Sequence, residues 1–374
     1  MKPFQKIWPM MPLILMLSAH IACTKAGSPL SPAGGPNGTP ETSTPTPVPT
    51  VAVSDPNLLS ALQTVLYDNG ILAHSTDPIH PQDLATLTSL SLQSAGVSNL
   101  SGLENCTALT QLSLGGNEIQ NLTPLSGLTG LTWLDLSNNP VSNLAPLSGL
   151  THLQTLDLNG DAVVNLTPLA GLTQVSELEL GGNQVTDLSP VTAMTGLTNL
   201  NAYSNQIAAL PSNLSALANL QYLDVASNPL TSLSPAAGLD DLLELDADSC
   251  QVTSLSPVAA MPDLMILLAN NNPLTSLPDL SKSPFLYDID ITGCGVTDIS
   301  GVAGMAHLQY FWAANNQINT IDALVSAHAQ GSFPAFNNQI ALGGNPLADP
   351  NAPADDWALV GAGVHIQGYD PPSP

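Results

Sequence analysis

The sequence predicts an α/β repeat solenoid: a curved right-handed coil with short parallel strands on its concave face. Its convex face carries 3₁₀ or irregular turns, and a short helix caps its N-terminus. Three observations predict it. Similar wording recurs every 22 residues, each copy begins with strand-like alternation, and each carries asparagine or a substitute at one fixed place. Such a unit cannot bury its apolar side alone, whereas stacked units share one continuous core.

Copies start at Leu87, Leu109, Leu131, Leu153, Val175, Leu197, Leu220, Leu242, Leu264, Leu286 and Leu308, with one step of 23 after Leu197. Counting the first residue as offset one, apolar residues fall at offsets one, four, six, eleven and fourteen. Leu109, Leu112, Leu114, Ile119 and Leu122 show the pattern. The opening alternation has the period of a half-buried strand. The later N-L-T-P-L wording is too short and too proline-bearing for an α-helix, which favours a tight 3₁₀ return.

Offset nine reads Asn117, Asn139, Asp161, Asn183, Asn205, Asn228, Cys250, Asn272, Cys294 and Asn316. An amide there can satisfy backbone groups of a buried turn, with each copy's side chain stacked on the next. Cysteine is the usual alternative at that place in leucine-rich repeats. The chain therefore resembles the leucine-rich repeat family, and its 22-residue form is similar to the internalin-like branch found on bacterial cell surfaces. The resemblance covers about Asp55 to Pro371. It implies protein partners, while the lack of catalytic motifs predicts no enzymatic activity.

The ends are read as caps. Asp55 and Pro56 form a helix start, and Leu58, Leu59, Leu62, Val65 and Leu66 make one apolar face. The copy at Leu308 runs long, a divergent unit spans Gln339 to Leu347, and Asp355 to Gln367 would cover the trailing sheet edge. Five segments follow: a signal peptide (1–22), an anchor cysteine with a Pro/Ser/Thr/Gly linker (23–53), a helical cap (54–86), repeats (87–347), and a C-terminal cap and tail (348–374).

Lys2 and Lys6 precede an apolar run, Ile7 to Ala22, which is short for a membrane span and fits an export signal. Cys23 stands where a lipoprotein signal places its lipidated cysteine, although His20 occupies a position where such motifs carry Leu, Val or Ile. Two outcomes stay open: a lipid anchor to the outer membrane or cell surface, or cleavage and secretion. Thr24 to Thr50 has the composition of a tether.

The formal charge is −25, from 29 acids against four lysines and no arginine. Phosphate binding needs lysine or arginine arrays, so nucleic acid is excluded as a partner. No G-x-S-x-G, phosphate loop or paired Cys–His arrangement is present, and no cofactor is implied. His74, Asp77 and His80 form a weak metal motif before the repeats. Cys106, Cys250 and Cys294 are expected as buried thiols. The column mates Cys250 and Cys294 lie two repeats apart, about 10 Å at ordinary strand spacing and beyond disulfide reach.

Function must lie in the outward strand positions, offsets three, five and seven. They carry an acidic stripe of Asp135, Asp157, Glu177, Glu179, Asp224, Glu244, Asp246, Asp288 and Asp290. They also carry Trp133, Tyr203 and Tyr222, and a C-terminal patch of Ile266, Leu268, Tyr310 and Trp312. Aromatic residues are 4% of the chain, so their gathering on one face points to partner binding. The stripe has two readings: a site for a basic partner or Ca²⁺, or ordinary repeat wording that water solvates. No EF-hand or glycine–aspartate repeat accompanies it. The segment after Leu308 could instead fold back over Tyr310 and Trp312. The sequence thus predicts a cell-envelope protein that binds a protein partner on its concave face, with a periplasmic scaffold as the alternative.

Overall fold

The computed structural model describes residues 48–333, 339–347 and 365–367. The expected signal, Cys23, most of the linker, and the tail apart from 365–367 lie outside the described residues.

Thirteen short strands form one parallel sheet in strict sequence order. They are β1 Ser89–Ser91, β2 Gln111–Ser113, β3 Trp133–Asp135, β4 Thr155–Asp157, β5 Glu177–Glu179, β6 Asn199–Asn201 and β7 Tyr222–Asp224. Then come β8 Glu244–Asp246, β9 Ile266–Leu268, β10 Asp288–Asp290, β11 Tyr310–Trp312, β12 Gln339–Ala341 and β13 His365–Gln367. Residues one repeat apart pair directly, as in Leu134 with Leu156 and Leu178 with Leu200. The repeat solenoid is therefore present, with the extra residue after Leu197 absorbed outside the strands.

The return path is built from 3₁₀ turns, such as Thr123–Leu125, Ala145–Leu147 and Thr167–Leu169, each with proline in its first turn. Proline fits there because an N–H at a helix start lacks an internal acceptor anyway. The chain leaves each strand through a left-handed residue at offset eight. That place holds glycine, asparagine or serine, including Gly116 (φ 71°), Asn138 (φ 57°) and Ser204 (φ 50°). The buried apolar residues join into one core running from Leu58 to Leu342. Each buried leucine contributes about 1.5–3 kcal/mol, so adjacent copies are held chiefly by this shared interior.

The asparagine column works as its chemistry suggests. Asn117 donates from Nδ2 to the carbonyls of Leu92 (2.8 Å) and Leu114 (2.7 Å), while its Oδ1 accepts the Val97 N–H (2.9 Å). Asn228 does the same with Ala202 (2.9 Å), Val225 (2.9 Å) and Ile207 (2.9 Å). Where cysteine substitutes, the thiol donates to the previous copy's carbonyl: Cys250 to Val225 and Cys294 to Ala269. All three described cysteines are free and buried. Burial, then the nearby Glu104 charge, pushes the Cys106 thiol up to about 12, so it is a packing group and not a nucleophile.

The cap helix α1, Pro56–Asp68, buries Leu58, Leu62 and Leu66. Asp55 does more than cap it. Its Oδ1 accepts from Asn57 and Leu58, and its Oδ2 accepts the N–H groups of Ser98 (2.8 Å) and Asn99 (3.1 Å) in the first repeat. Burial opposes the charge, but these donors outweigh it and hold the carboxyl at about 2. A second short helix, α2 at Pro81–Leu84, leads into the first copy, and α3, Asp322–Ala329, packs its turns against the convex-side turn at Ser300–Val302.

Replacing Asn228 by alanine would leave the buried Ile207 N–H without its acceptor and take one of two donors from the Ala202 and Val225 carbonyls. Urea denaturation is expected to show a loss of about 2–4 kcal/mol. Asn228→Cys should lose less than half as much, because a thiol can still donate to the previous copy. Equal losses for the two would contradict the donor role of the column.

Candidate functional site

Two rows of side chains run along the sheet face. The offset-five row aligns Asp135, Asp157, Glu179, Asn201, Asp224, Asp246, Leu268, Asp290 and Trp312 as successive partners. The offset-three row aligns Trp133, Thr155, Glu177, Asn199, Tyr222, Glu244, Ile266, Asp288 and Tyr310 in the same register. The residues expected on this face are therefore brought into these two rows, except Tyr203, which lies at offset seven, two residues beyond β6.

The acids are not solvated as the ordinary-wording alternative requires. Asp135, Asp157, Glu179, Asp224, Glu244, Asp246, Asp288 and Asp290 are all buried, from Asp157 at 9% exposure to Asp290 at 1%; Glu177 is half-buried. The cause is local. The offset-five aspartates turn Oδ1 back onto the N–H two residues ahead: Asp135 to Ser137 (2.9 Å), Asp157 to Asn159 (2.9 Å), Asp224 to Ala226 (3.0 Å), Asp246 to Asp248 (3.0 Å) and Asp290 to Thr292 (3.0 Å). They close the turn that leaves each strand, an Asx-type bond, and strands about 4.8 Å apart shield each carboxylate with its neighbours.

Neutral donors take the place of the missing cations. Ser113 Oγ and Gln93 Nε2 donate to Asp135 Oδ2, both at 3.0 Å, and Asn201 Nδ2 (2.7 Å) and Asn159 Nδ2 (3.1 Å) donate to Glu179 Oε2. Lys282 is the one lysine among the described residues and lies off the strands. Burial raises the Asp157 carboxyl, its bond from Asn159 lowers it, and the charges of Asp135, Glu179 and Glu177 raise it again, to about 7.

The aromatic residues keep access to solvent. Trp133, Tyr222, Tyr310 and Trp312 are half-buried, and Tyr203 is 38% exposed. The Tyr203 ring lies across Gly181, where any Cβ would collide with Cε1. Trp312 Nε1 donates to Asp288 Oδ1 (3.1 Å), which fixes the indole on the face. Tyr287 joins the group although its place at offset two kept it out of the sequence reading. Its ring meets Tyr310 edge-on at 6.3 Å. Burial, then Asp288, Glu244, Tyr310 and Tyr222, raises the Tyr287 hydroxyl, so these residues share one neighbourhood.

The C-terminal patch needs one correction: Ile266 is buried at 8% exposure, enclosed between Glu244 and Asp288, and Leu268 is half-buried. The patch is thus made of Leu268, Tyr287, Tyr310 and Trp312. The described part of the long segment after Leu308 does not cover it, since α3 turns to the convex side. His74 lies 3.4 Å from Asp77, but no group of three or more His, Cys, Asp or Glu could hold a metal ion among the described residues.

Fold and face together define a strand-and-turn repeat solenoid. Family models for leucine-rich repeats match residues 129–171 (two copies) and 219–238. An internalin (inlF) from Listeria monocytogenes is similar over 85% of this chain and 92% of its own, with 29% identity and a TM-score of 0.75. Internalin C2 from the same organism is 32% identical over 64% of this chain and 93% of its own, with a TM-score of 0.50. The leucine-rich repeat ectodomain of the plant receptor kinase GASSHO1/SCHENGEN3 from Arabidopsis thaliana, in complex with Casparian strip integrity factor 2, is 21% identical with a TM-score of 0.63. That match covers 77% of this chain and 36% of the plant one. No curated protein matches the sequence. The chain belongs to the leucine-rich repeat family, in its internalin-like form.

Two predictions follow from this face. Asp157 ionises near 3.8 when unfolded and about 7 when folded, so the unfolded chain binds fewer protons between those values and stability falls as pH rises through that window. The melting temperature should drop by roughly 5 °C between pH 5 and pH 8, and Asp157→Asn should flatten part of that slope; a rise would contradict the burial of the acids. Separately, Gly181→Ala should displace the Tyr203 ring and cost about 1–3 kcal/mol, whereas Tyr203→Ala in the same background should recover most of the loss in thermal melts.

Proposed function

We propose that this is a non-enzymatic, exported protein of the cell envelope, anchored by lipid on Cys23 and tethered by Thr24 to Thr50, which binds a protein partner on its sheet face in adhesion or surface recognition. The observation that carries the reading is the contrast within that face. Its acids are closed into turns, while Trp133, Tyr203, Tyr222, Tyr310 and Trp312 stay accessible. Trp and Tyr dominate binding hot spots, and side chains held on rigid strands lose little entropy when a partner arrives.

Charge supports a basic partner. The face carries no lysine or arginine, and its carboxylates are met by neutral donors. Half-exposed tyrosines beside Glu244 and Asp288 suit a lysine or arginine through cation–π and Coulomb attraction. The internalin-like family is consistent with protein binding, and the plant ectodomain in its complex puts the same fold to that use.

Affinity capture from the native envelope and its surroundings, with the full chain as bait, tests the reading. Tyr310→Ala with Trp312→Ala should weaken capture by roughly thirtyfold or more while leaving the melting curve in place; equal capture would remove the C-terminal patch from the site. Protease shaving of intact cells should release the solenoid, and retention would favour the periplasmic scaffold. Incorporation of labelled fatty acid should vanish in Cys23→Ser, and unchanged labelling would overturn the anchor.

A further inference from the structure

The buried asparagine column contains one acid. At four copies the carbonyl at offset six accepts two amide hydrogens, one from its own copy and one from the next, and at Val225 and Ala269 the next copy's donor is a cysteine thiol. Leu114 O receives Asn117 (2.7 Å) and Asn139 (3.0 Å), Leu180 O receives Asn183 (2.9 Å) and Asn205 (2.8 Å), and Ala202 O receives Asn205 (3.1 Å) and Asn228 (2.9 Å). At residue 161 the column holds aspartate. Leu136 O keeps its bond from Asn139 (2.7 Å) and Leu158 O keeps its bond from Asn183 (2.7 Å), but the amide that would supply the second bond to each is missing.

Asp161 is buried, with 9% exposure. Its Oδ1 accepts the Asn139 N–H at 2.7 Å, which ties it to the preceding copy. Its Oδ2, the oxygen replacing the amide nitrogen, is buried without a hydrogen-bond partner. An ionised oxygen placed against carbonyl oxygens is repelled by them, whereas a protonated one can donate.

We infer that Asp161 is held as a neutral carboxylic acid whose Oδ2–H stands in for the missing amide, and that release of this proton to solvent loosens the joint between the copies starting at Leu131 and Leu153. The surroundings agree. Burial raises the carboxyl, the Asn139 N–H lowers it, and Asp157 on the preceding strand and Asp135 one copy back raise it further, to about 8. The column neighbours Asn139 and Asn183 are uncharged, and Lys282, the one described lysine, belongs to the distant copy that starts at Leu264. In a one-dimensional stack each joint is held only by its two neighbours, so one titrating joint makes a proton-operated weak point. It follows the end of β4 by four residues and is bonded to the turn after β3, so it joins the two copies that carry Trp133, Asp135 and Asp157.

Carboxyl carbon NMR and amide hydrogen exchange on the full chain test this. The Asp161 carboxyl should remain in its protonated position at pH 6 and move only in alkaline buffer. After correction for intrinsic exchange, opening at the Asn139 amide should rise by about tenfold per pH unit between pH 4 and 8, while the Ile119 and Val185 amides, bonded to Asn139 and Asn205 oxygens, change far less. Asp161→Asn restores the repeat's own residue and should abolish the dependence at Asn139. Asp157→Asn, which removes the neighbouring titration, should leave it. A carboxyl already ionised at pH 6, or an unchanged slope in Asp161→Asn, would overturn the inference.

Discussion

The structure depends on one buried side chain repeated down its length. A chain that turns sharply after a three-residue strand leaves carbonyls and amides inside an apolar core, where each unmet group costs about 1–3 kcal/mol. The offset-nine amide meets them on both sides at once, binding its own turn and the copy before it. That double duty locks register. A copy shifted by one residue would turn its strand leucines outward and withdraw the amide from two turns together. The 22-residue period, the straight sequence order of the sheet and the alignment of its two face rows all follow from this.

The same economy shapes the sheet face. With no arginine in the chain and no lysine on the described strands, carboxylates there are met by backbone N–H groups, serine and amide side chains in place of ion pairs. Aspartate at offset five is thereby converted from a surface group into a turn-closing one. The cost is electrostatic: burial raises an enclosed carboxyl, and neighbouring like charges raise it further, as at Asp157. The acidic rows are consequently part of the scaffold as well as the source of its field, while the aromatic residues between them provide the contact surface.

Much of this was legible in the sequence, because the decisive contacts repeat. The strand alternation, the 3₁₀ returns after N-L-T-P-L, the capping helix and the bonded asparagine column are contacts within a copy or between adjacent copies, and eleven copies spell them out. The reduced cysteines followed from strand spacing. What escaped depends on side-chain direction across the stack. The acids read as outward residues because alternation alone cannot show that Asp135 bends onto Ser137. Ile266 read as exposed because its enclosure by Glu244 and Asp288 belongs to neighbouring copies. Tyr287 lay at an offset not counted as outward. Asp55's second set of bonds, to Ser98 and Asn99, joins residues some forty positions apart. The glycine at 181 did carry a signal, since a bare residue one repeat before an outward tyrosine leaves room for a ring to lie flat.

The central functional claim is that recognition takes place on the sheet face. Hydroxyl-radical footprinting of the full chain, with and without a captured partner, addresses it most directly, because Trp and Tyr are strong reporters of solvent access. Protection centred on Tyr222, Tyr287, Tyr310 and Trp312, with Tyr67 on the cap helix and Phe285 between β9 and β10 unchanged, is the result predicted here. Protection of Phe285 or Tyr67 with the face aromatics still reactive would contradict it and move recognition off the strands.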